Sequence, residues 1–118
     1  MKRTIIAALL AASLSSAAYA APSPEEEKFA LEAASLSLLG VLNCDLPGDQ
    51  QPALMKLVDK AYEASGVNPS NYPSGEWTRK VFFFISGNSF YSAVLNKEPA
   101  SVASFCKILH EKIIPLAK

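Results

Sequence analysis

Residues 81–91 read VFFFISGNSFY, the most apolar stretch beyond the first twenty residues, and its conformation decides the fold class. As strands, VFFFI and FYSAV would flank SGNS in a two-stranded hairpin. An isolated hairpin is marginally stable, and no third strand pattern occurs elsewhere in the sequence. As a helix over about residues 76–96, the stretch forms one largely apolar stripe, made of Trp77, Val81, Phe84, Asn88, Tyr91 and Leu95. We predict the helix, with a kink near Gly87 and with Gly40 of the first helix as the candidate neighbour of that glycine.

The segment before this stretch predicts a helix that is apolar on most of its sides. Ser23 precedes Pro24, and Glu26 stands three residues after Ser23, which is the pattern of a capping box with proline at the first helical position. Residues 33–44 carry no charge. A helix of this kind is usually central in a bundle. Pro47 and Gly48 follow it and predict its end.

Two further helices complete the predicted fold. The first starts after Asp49, its plausible N-cap, and Gly66 is its expected C-terminal stop. The other begins at Pro99, shows apolar residues at helical spacing, and should end at Pro115. Four helices joined by short loops predict an all-α fold, a small four-helix bundle.

Residues 1–20, MKRTIIAALLAASLSSAAYA, have the pattern of a secretory signal peptide. Lys2 and Arg3 form a basic start, an apolar run follows, and the segment closes on the small-residue pattern around Ala20. An uncleaved membrane anchor is the alternative, but serines interrupt the run before it reaches a spanning length. We expect cleavage before Ala21 and export to the periplasm or the medium, which leaves residues 21–118 as a single helical domain.

The two cysteines predict one structural disulfide. Cys44 and Cys106 form an even pair in a small domain that we expect to be exported to an oxidising compartment. Closing a loop of about 62 residues would stabilise the fold by roughly 4 kcal/mol. A redox pair would usually have two residues between its cysteines, and a metal site would need more ligands than His110 supplies. The disulfide would tie the end of the first helix to the last one.

The charge balance excludes nucleic acid as the expected partner. Removal of Lys2 and Arg3 leaves 9 basic against 11 acidic side chains, a net charge of −2, and the basic residues do not cluster. A phosphate backbone needs several Lys or Arg on one face. Charged and polar residues inside and beside residues 81–91 also argue against stable membrane insertion once the signal peptide is removed.

The sequence gives no support for catalysis. It holds a single histidine, His110, on an amphipathic helix, where a surface position is the ordinary interpretation and a pH sensor the functional one. No nucleophile elbow, zinc-protease motif, phosphate loop or haem-attachment motif occurs. We therefore predict a protein that is not an enzyme and that needs no cofactor or metal.

The aromatic residues are the best candidates for a functional site. The loop at residues 67–75 precedes Trp77, and either this loop contacts a partner or its aromatic residues pack over the core. We expect partner binding through Tyr72, Trp77, Phe83, Phe90 and Tyr91. Some of Trp77, Phe82, Phe83, Phe90 and Tyr91 should then form an exposed patch, and this patch would also suit a homodimer.

In size, compartment and architecture the chain is similar to small exported helical proteins with one disulfide, such as acid-stress periplasmic chaperones and periplasmic immunity proteins. No specific motif carries that similarity. The prediction is a periplasmic interaction protein: an inhibitor, immunity protein, chaperone or assembly accessory. The alternative is a bundle that binds a small apolar ligand between its first and third helices, in a cavity lined by Phe29, Leu36, Phe84 and Tyr91.

Overall fold

The computed structural model describes residues 22–117, which form five α-helices and no β-strand. The proposed signal peptide at residues 1–20 lies outside this range. The helices are α1 (Pro24–Asn43), α2 (Gln50–Ser65), α3 (Glu76–Ser86), α4 (Ser89–Leu95) and α5 (Pro99–Ile108). A 3₁₀ turn (Pro69–Asn71) lies between α2 and α3, and the chain ends in a π-helical turn (Leu109–Ile113) and a 3₁₀ turn (Ile114–Ala117).

Helix α1 begins and packs as its sequence predicts. The Glu26 N–H donates to Ser23 Oγ at 3.1 Å, and the Ser23 N–H donates to Glu26 Oε1 at 2.8 Å, which completes the capping box around Pro24. The other four helices all pack against α1. Its buried residues lie on several sides of the helix, because each neighbour covers a different strip. Helix α1 is therefore the centre of the fold.

A close helix contact occurs at Gly40, although not with the neighbour that we expected. A Cβ atom on Gly40 would lie 2.7 Å from Leu109 Cδ2 and 3.1 Å from Leu54 Cδ2. Both leucines are almost completely buried. Gly87 is exposed, and a Cβ there would meet nothing but carbonyls of its own helix, at 3.6 Å and beyond. The predicted contact between Gly40 and Gly87 is wrong, because Gly40 faces α2 and the C-terminal turn.

Helix α2 keeps the predicted limits. It starts after Asp49 and stops at Gly66, whose φ of 75° is in the left-handed region that favours glycine. Leu54, Val58 and Ala61 are buried, while most of the charged residues face solvent.

The predicted third helix is two helices. Helix α3 ends at Ser86, and Asn88 adopts an extended conformation with φ −113° and ψ 115°. The Asn88 side chain accepts the N–H of Tyr91 at 2.9 Å and thereby caps α4 as a new helix. The prediction of one helix with a kink at Gly87 is wrong for this reason. The hairpin alternative is also excluded, because both halves are helical.

The last helix also differs from the prediction in its end. The α-helix stops at Ile108, and a π-helical and a 3₁₀ turn continue through Pro115 to Ala117. Proline has no N–H to donate, so the regular hydrogen-bond ladder cannot run through Pro115. The π-helical turn holds Leu109, the residue that packs on Gly40.

Two links tie the end of α1 to the later helices. The predicted disulfide between Cys44 and Cys106 is confirmed, and it joins the residue after α1 to α5. Lys97, in the turn after α4, donates from Nζ to Asn43 Oδ1 at 2.7 Å and to Leu42 O at 3.3 Å. Helix α1 has no basic residue in its last turn, so Lys97 supplies the cation that favours this helix end.

We predict that Gly40→Val and Gly87→Val have opposite consequences. At Gly40 the added atoms collide with buried leucines, and the free energy of unfolding should fall by about 3 kcal/mol. At Gly87 the added Cβ makes only ordinary van der Waals contacts, with carbonyl oxygens at 3.6 and 3.7 Å, and φ is an ordinary −80°, so the change should stay within about 0.5 kcal/mol. Urea denaturation followed by circular dichroism measures both. Equal losses in the two variants would contradict the described packing.

Candidate functional site

The structure separates the aromatic candidates into core and surface. Phe83 is 82% exposed, and Phe82 and Phe90 are also exposed. Trp77 and Tyr91 are 8% and 7% exposed, so they belong to the core. Three of these five residues, the phenylalanines, are exposed, whereas a contiguous patch that includes all three stays a prediction. Trp77 and Tyr91 are not accessible to a partner in this structure.

Trp77 is buried because two tyrosines enclose it. Its indole N–H donates to the Tyr62 hydroxyl at 3.0 Å, and the two rings meet edge to face at 5.8 Å. The ring of Tyr72, from the loop before α3, lies 5.0 Å from the Trp77 ring. Of the two interpretations of this loop, the structure shows the one in which its aromatic residue packs over the core.

Glu27 joins three elements at one end of the site. The Tyr72 hydroxyl donates to Glu27 Oε2 at 2.9 Å, and Lys80 Nζ lies 3.4 Å from Glu27 Oε1. Burial, and then the hydrogen bond to the Glu27 carboxylate, raise the pKa of Tyr72 to about 12. The neutral tyrosine is the form that donates this bond. Glu27 therefore fixes the loop and α3 against α1.

The carboxylate of Glu32 holds α4 against α1. The Tyr91 hydroxyl donates to Glu32 Oε2, and its ring packs edge to face on Phe105. Burial of Tyr91, and then its hydrogen bond to Glu32, raise the pKa of that tyrosine well above its usual value. Glu27 and Glu32 thus hold the α3–α4 segment beside α1 at two points.

Between these two points, α1 and α3 leave an open groove at the surface. Two adjoining hollows of about 370 and 490 Å³ share Phe83 and Phe84 as lining residues. We call them together the Phe83 groove. Its remaining lining residues are Glu27, Lys28, Leu31 and Glu32 of α1, Glu76, Arg79 and Lys80 of α3, and Gly87 and Asn88 after α3.

The charges around the groove balance one another. Three acidic and three basic side chains line it. Arg79 Nη1 lies 2.6 Å from Glu76 Oε1, Lys80 pairs with Glu27, and Glu32 accepts the Tyr91 hydroxyl. Lys28 is the single lining charge without such a contact among residues 22–117. The groove thus offers an apolar centre and a rim without net charge, which does not favour a highly charged ligand.

The polar lining of the groove consists of carboxylates, amines, one guanidinium and one amide. No histidine, serine or cysteine lines either hollow. Within residues 22–117 no group of three or more potential metal ligands comes together. His110 is half-buried in the π-helical turn, outside the groove.

The groove does not match the cavity that was expected to hold an apolar ligand. Of its four expected lining residues, Phe84 lines the groove, whereas Phe29, Leu36 and Tyr91 do not. Phe29 is 55% exposed elsewhere on α1, and Tyr91 is buried. The sequence did not predict that Leu31 and six charged residues line the groove. The helical spacing of α1 could have placed Leu31 beside Glu27 and Lys28. It could not have shown that Leu31 and Phe84 line the same hollow.

Comparison with known proteins gives no relative for this chain. No protein-family model matches it, and neither a curated protein nor a solved structure does. Across residues 22–117, every helix is too short or too polar to cross a membrane. The site must therefore be interpreted from its own geometry.

We predict that the stability of the protein decreases from about pH 10 to about pH 12. Tyr72 and Tyr91 keep their protons in the folded state at a pH where the unfolded chain has lost them, so rising pH favours unfolding. The double variant Tyr72→Phe with Tyr91→Phe should be less stable near pH 7 because both hydrogen bonds are lost.

Urea denaturation at about pH 7 and about pH 11 measures this effect. The double variant should lose less stability between these two conditions than the wild-type protein. Lysine deprotonation affects both proteins alike, so the difference between them isolates the tyrosines. Parallel losses in both would show that the two tyrosine–glutamate bonds do not form.

Proposed function

We propose that this chain is an exported helical interaction protein that binds another protein chain through the Phe83 groove, without catalysis. The observation that carries the proposal is the exposure of Phe83. Phe83 is 82% exposed and lines both hollows, although Phe105 of the same domain is only 2% exposed. A partner side chain could enter the hollows while covering Phe83.

The exposure of Phe83 has an energetic cost that binding would recover. Burying a phenylalanine side chain stabilises a protein by about 1.5–3 kcal/mol relative to leaving it in water. Val81 and Ile85 of the same helix are buried, so Phe83 lies on the opposite side of α3 from the core. Aromatic anchors bury a large area at a small entropic cost, and arginine, here Arg79, is also common in binding hot spots.

Export is supported by two independent features. The pattern of residues 1–20 predicts a secretory signal peptide. The disulfide between Cys44 and Cys106 is typical of an oxidising compartment such as the periplasm. The classes that fit are an inhibitor, an immunity protein, a chaperone or an assembly accessory.

The second candidate function is the binding of a small apolar ligand, and the volume of the two hollows supports it. Their 370 and 490 Å³ lie in the range of ligand pockets, and Leu31 and Phe84 supply apolar walls. Ligand pockets usually bury most of the ligand surface, however. The Phe83 groove is open to solvent along its length, which favours the surface of a macromolecule as the occupant.

Site-specific photocrosslinking in the native cell tests the proposed function. A photoreactive phenylalanine analogue at position 83 should give a discrete protein adduct on irradiation. The matched control is the same analogue at Phe29, which is 55% exposed but does not line the groove. The control should give no such adduct. Failure of position 83 to form any protein adduct, or identical adducts from both positions, would contradict the proposal.

A second measurement separates binding from folding. Because both side chains are exposed, Phe83→Ala and Phe29→Ala should each change the free energy of unfolding by less than about 0.5 kcal/mol. Once crosslinking has identified the partner, tagged wild-type protein should co-purify it without a crosslinker. The Phe83→Ala variant should fail to co-purify this partner, and the Phe29→Ala variant should still do so. A large loss of stability in Phe83→Ala would show that Phe83 belongs to the core.

A further inference from the structure

We propose that Met55 is a site of reversible oxidation by peroxide, and that Ser37 holds the oxidised side chain in place between α1 and α2. The product is methionine sulfoxide. Neither residue lines the Phe83 groove, so the proposal does not depend on the proposed function. It rests on three observations: the chain offers peroxide one thioether beyond the proposed signal peptide, this residue is exposed, and a buried hydroxyl already contacts its sulfur.

Met55 is the side chain of residues 21–118 that we expect hydrogen peroxide to oxidise. The sequence holds two methionines, and the other, Met1, belongs to the proposed signal peptide. Both cysteines of the sequence are joined in the disulfide, so no thiolate competes for the oxidant. Met55 is 43% exposed. Peroxide therefore reaches a single sulfur and gives one modified form of the chain.

The sulfur of Met55 lies at the contact between α1 and α2. Ser37 Oγ donates to Met55 Sδ at 3.4 Å. Ser37 is only 6% exposed, so its hydroxyl has little access to water and uses the sulfur as its acceptor. Leu54, the neighbour of Met55 in the chain, packs on Gly40, which follows Ser37 by three residues. A chemical change at Met55 therefore acts where the two helices pack closely.

Oxidation converts a weak hydrogen-bond acceptor into a strong one. A lone pair of the thioether sulfur attacks one oxygen of hydrogen peroxide, the O–O bond breaks, and the second oxygen leaves as water with both protons. The sulfur loses two electrons, and the peroxide gains them. A thioether sulfur accepts hydrogen bonds only weakly, whereas the sulfoxide group is polar. The rotatable bonds of methionine allow the new oxygen to turn to the Ser37 hydroxyl.

Ser37 therefore decides how well the domain tolerates the oxidised side chain. With the hydroxyl present, the sulfoxide oxygen gains a donor from α1 in place of the weak bond to sulfur. Without it, a polar oxygen would lie beside the apolar contact of the two helices and lack that donor, which costs stability. Methionine sulfoxide reductases return the sulfoxide to the thioether, so the change is reversible.

Peptide mass spectrometry of the purified, disulfide-bonded protein after treatment with hydrogen peroxide identifies the site. We expect one added oxygen on the peptide that carries Met55, and its removal by methionine sulfoxide reductases. The Met55→Leu variant should take up no oxygen within residues 21–118 under the same conditions. An unreactive Met55, or equal oxygen uptake at another residue of this range, would overturn the assignment.

Urea denaturation of the oxidised and the unoxidised protein measures the part that Ser37 plays. Oxidation should lower the folding equilibrium constant of Ser37→Ala by about fivefold more than that of the wild-type protein, because one hydrogen bond to the sulfoxide is missing. Circular dichroism of each variant confirms that it is folded.

Ser35→Ala is the matched control for this measurement. Ser35 is a buried serine of the same helix, and its hydroxyl has no hydrogen-bond partner among residues 22–117. This variant should respond to oxidation as the wild-type protein does. Equal effects of oxidation in Ser37→Ala and in the wild-type protein would overturn the role of Ser37, because its hydroxyl would then not bind the sulfoxide. Equal effects in Ser37→Ala and Ser35→Ala would overturn it as well.

Discussion

The fold depends on the close packing of other segments around α1. At Gly40 the side chains of Leu54 and Leu109 approach the α1 backbone so closely that an added methyl group would force Leu109 to shift and would crowd Leu54. Small residues at Ala30 and Ala34 are also buried on this helix. Because α1 is covered by neighbours on several sides, its position fixes the positions of α2, of the α3–α4 segment and of the C-terminal turns. The disulfide at its C-terminal end holds α5 to the same helix.

The groove is a consequence of how α3 is held beside α1. Helix α3 buries Val81 and Ile85, and the carboxylates of Glu27 and Glu32 accept tyrosine hydroxyls from the segments before and after it. These contacts hold the two helices side by side, and the half-buried Phe84 lines both hollows between them. Phe83 is the next residue round the helix and cannot face the core at the same time. A surface aromatic between two hollows is therefore built into the packing.

Local signals in the sequence predicted much of the fold. The capping box at Ser23, the stop of α2 at Gly66 and the pairing of the two cysteines all depend on short patterns or on residue counts. The break after α3 was missed, because Asn88 can either continue a helix or cap a new one. The capping bond to the Tyr91 N–H, together with the anchoring of Tyr91 on Glu32, favours the second state.

The site was harder to predict, because it depends on contacts between distant residues. The three consecutive phenylalanines at residues 82–84 point in three different directions around the helix. The periodicity of the sequence does not show which of them faces α1. Trp77 looked like a binding anchor, but its burial depends on Tyr62 and Tyr72, which lie in other elements. No pattern in the sequence indicated that Glu27 and Glu32 of α1 would accept tyrosine hydroxyls from other elements.

The most direct test of the account is the solvent accessibility of Phe83 in the free chain. Fluorine NMR of dilute protein labelled with fluorophenylalanine, with a soluble paramagnetic agent, reports each ring separately. The account predicts that the Phe83 signal broadens strongly, whereas that of the buried Phe105 is nearly unaffected. A Phe83 signal as protected as that of Phe105 in the monomer would contradict the account, because no exposed aromatic would then mark a binding groove.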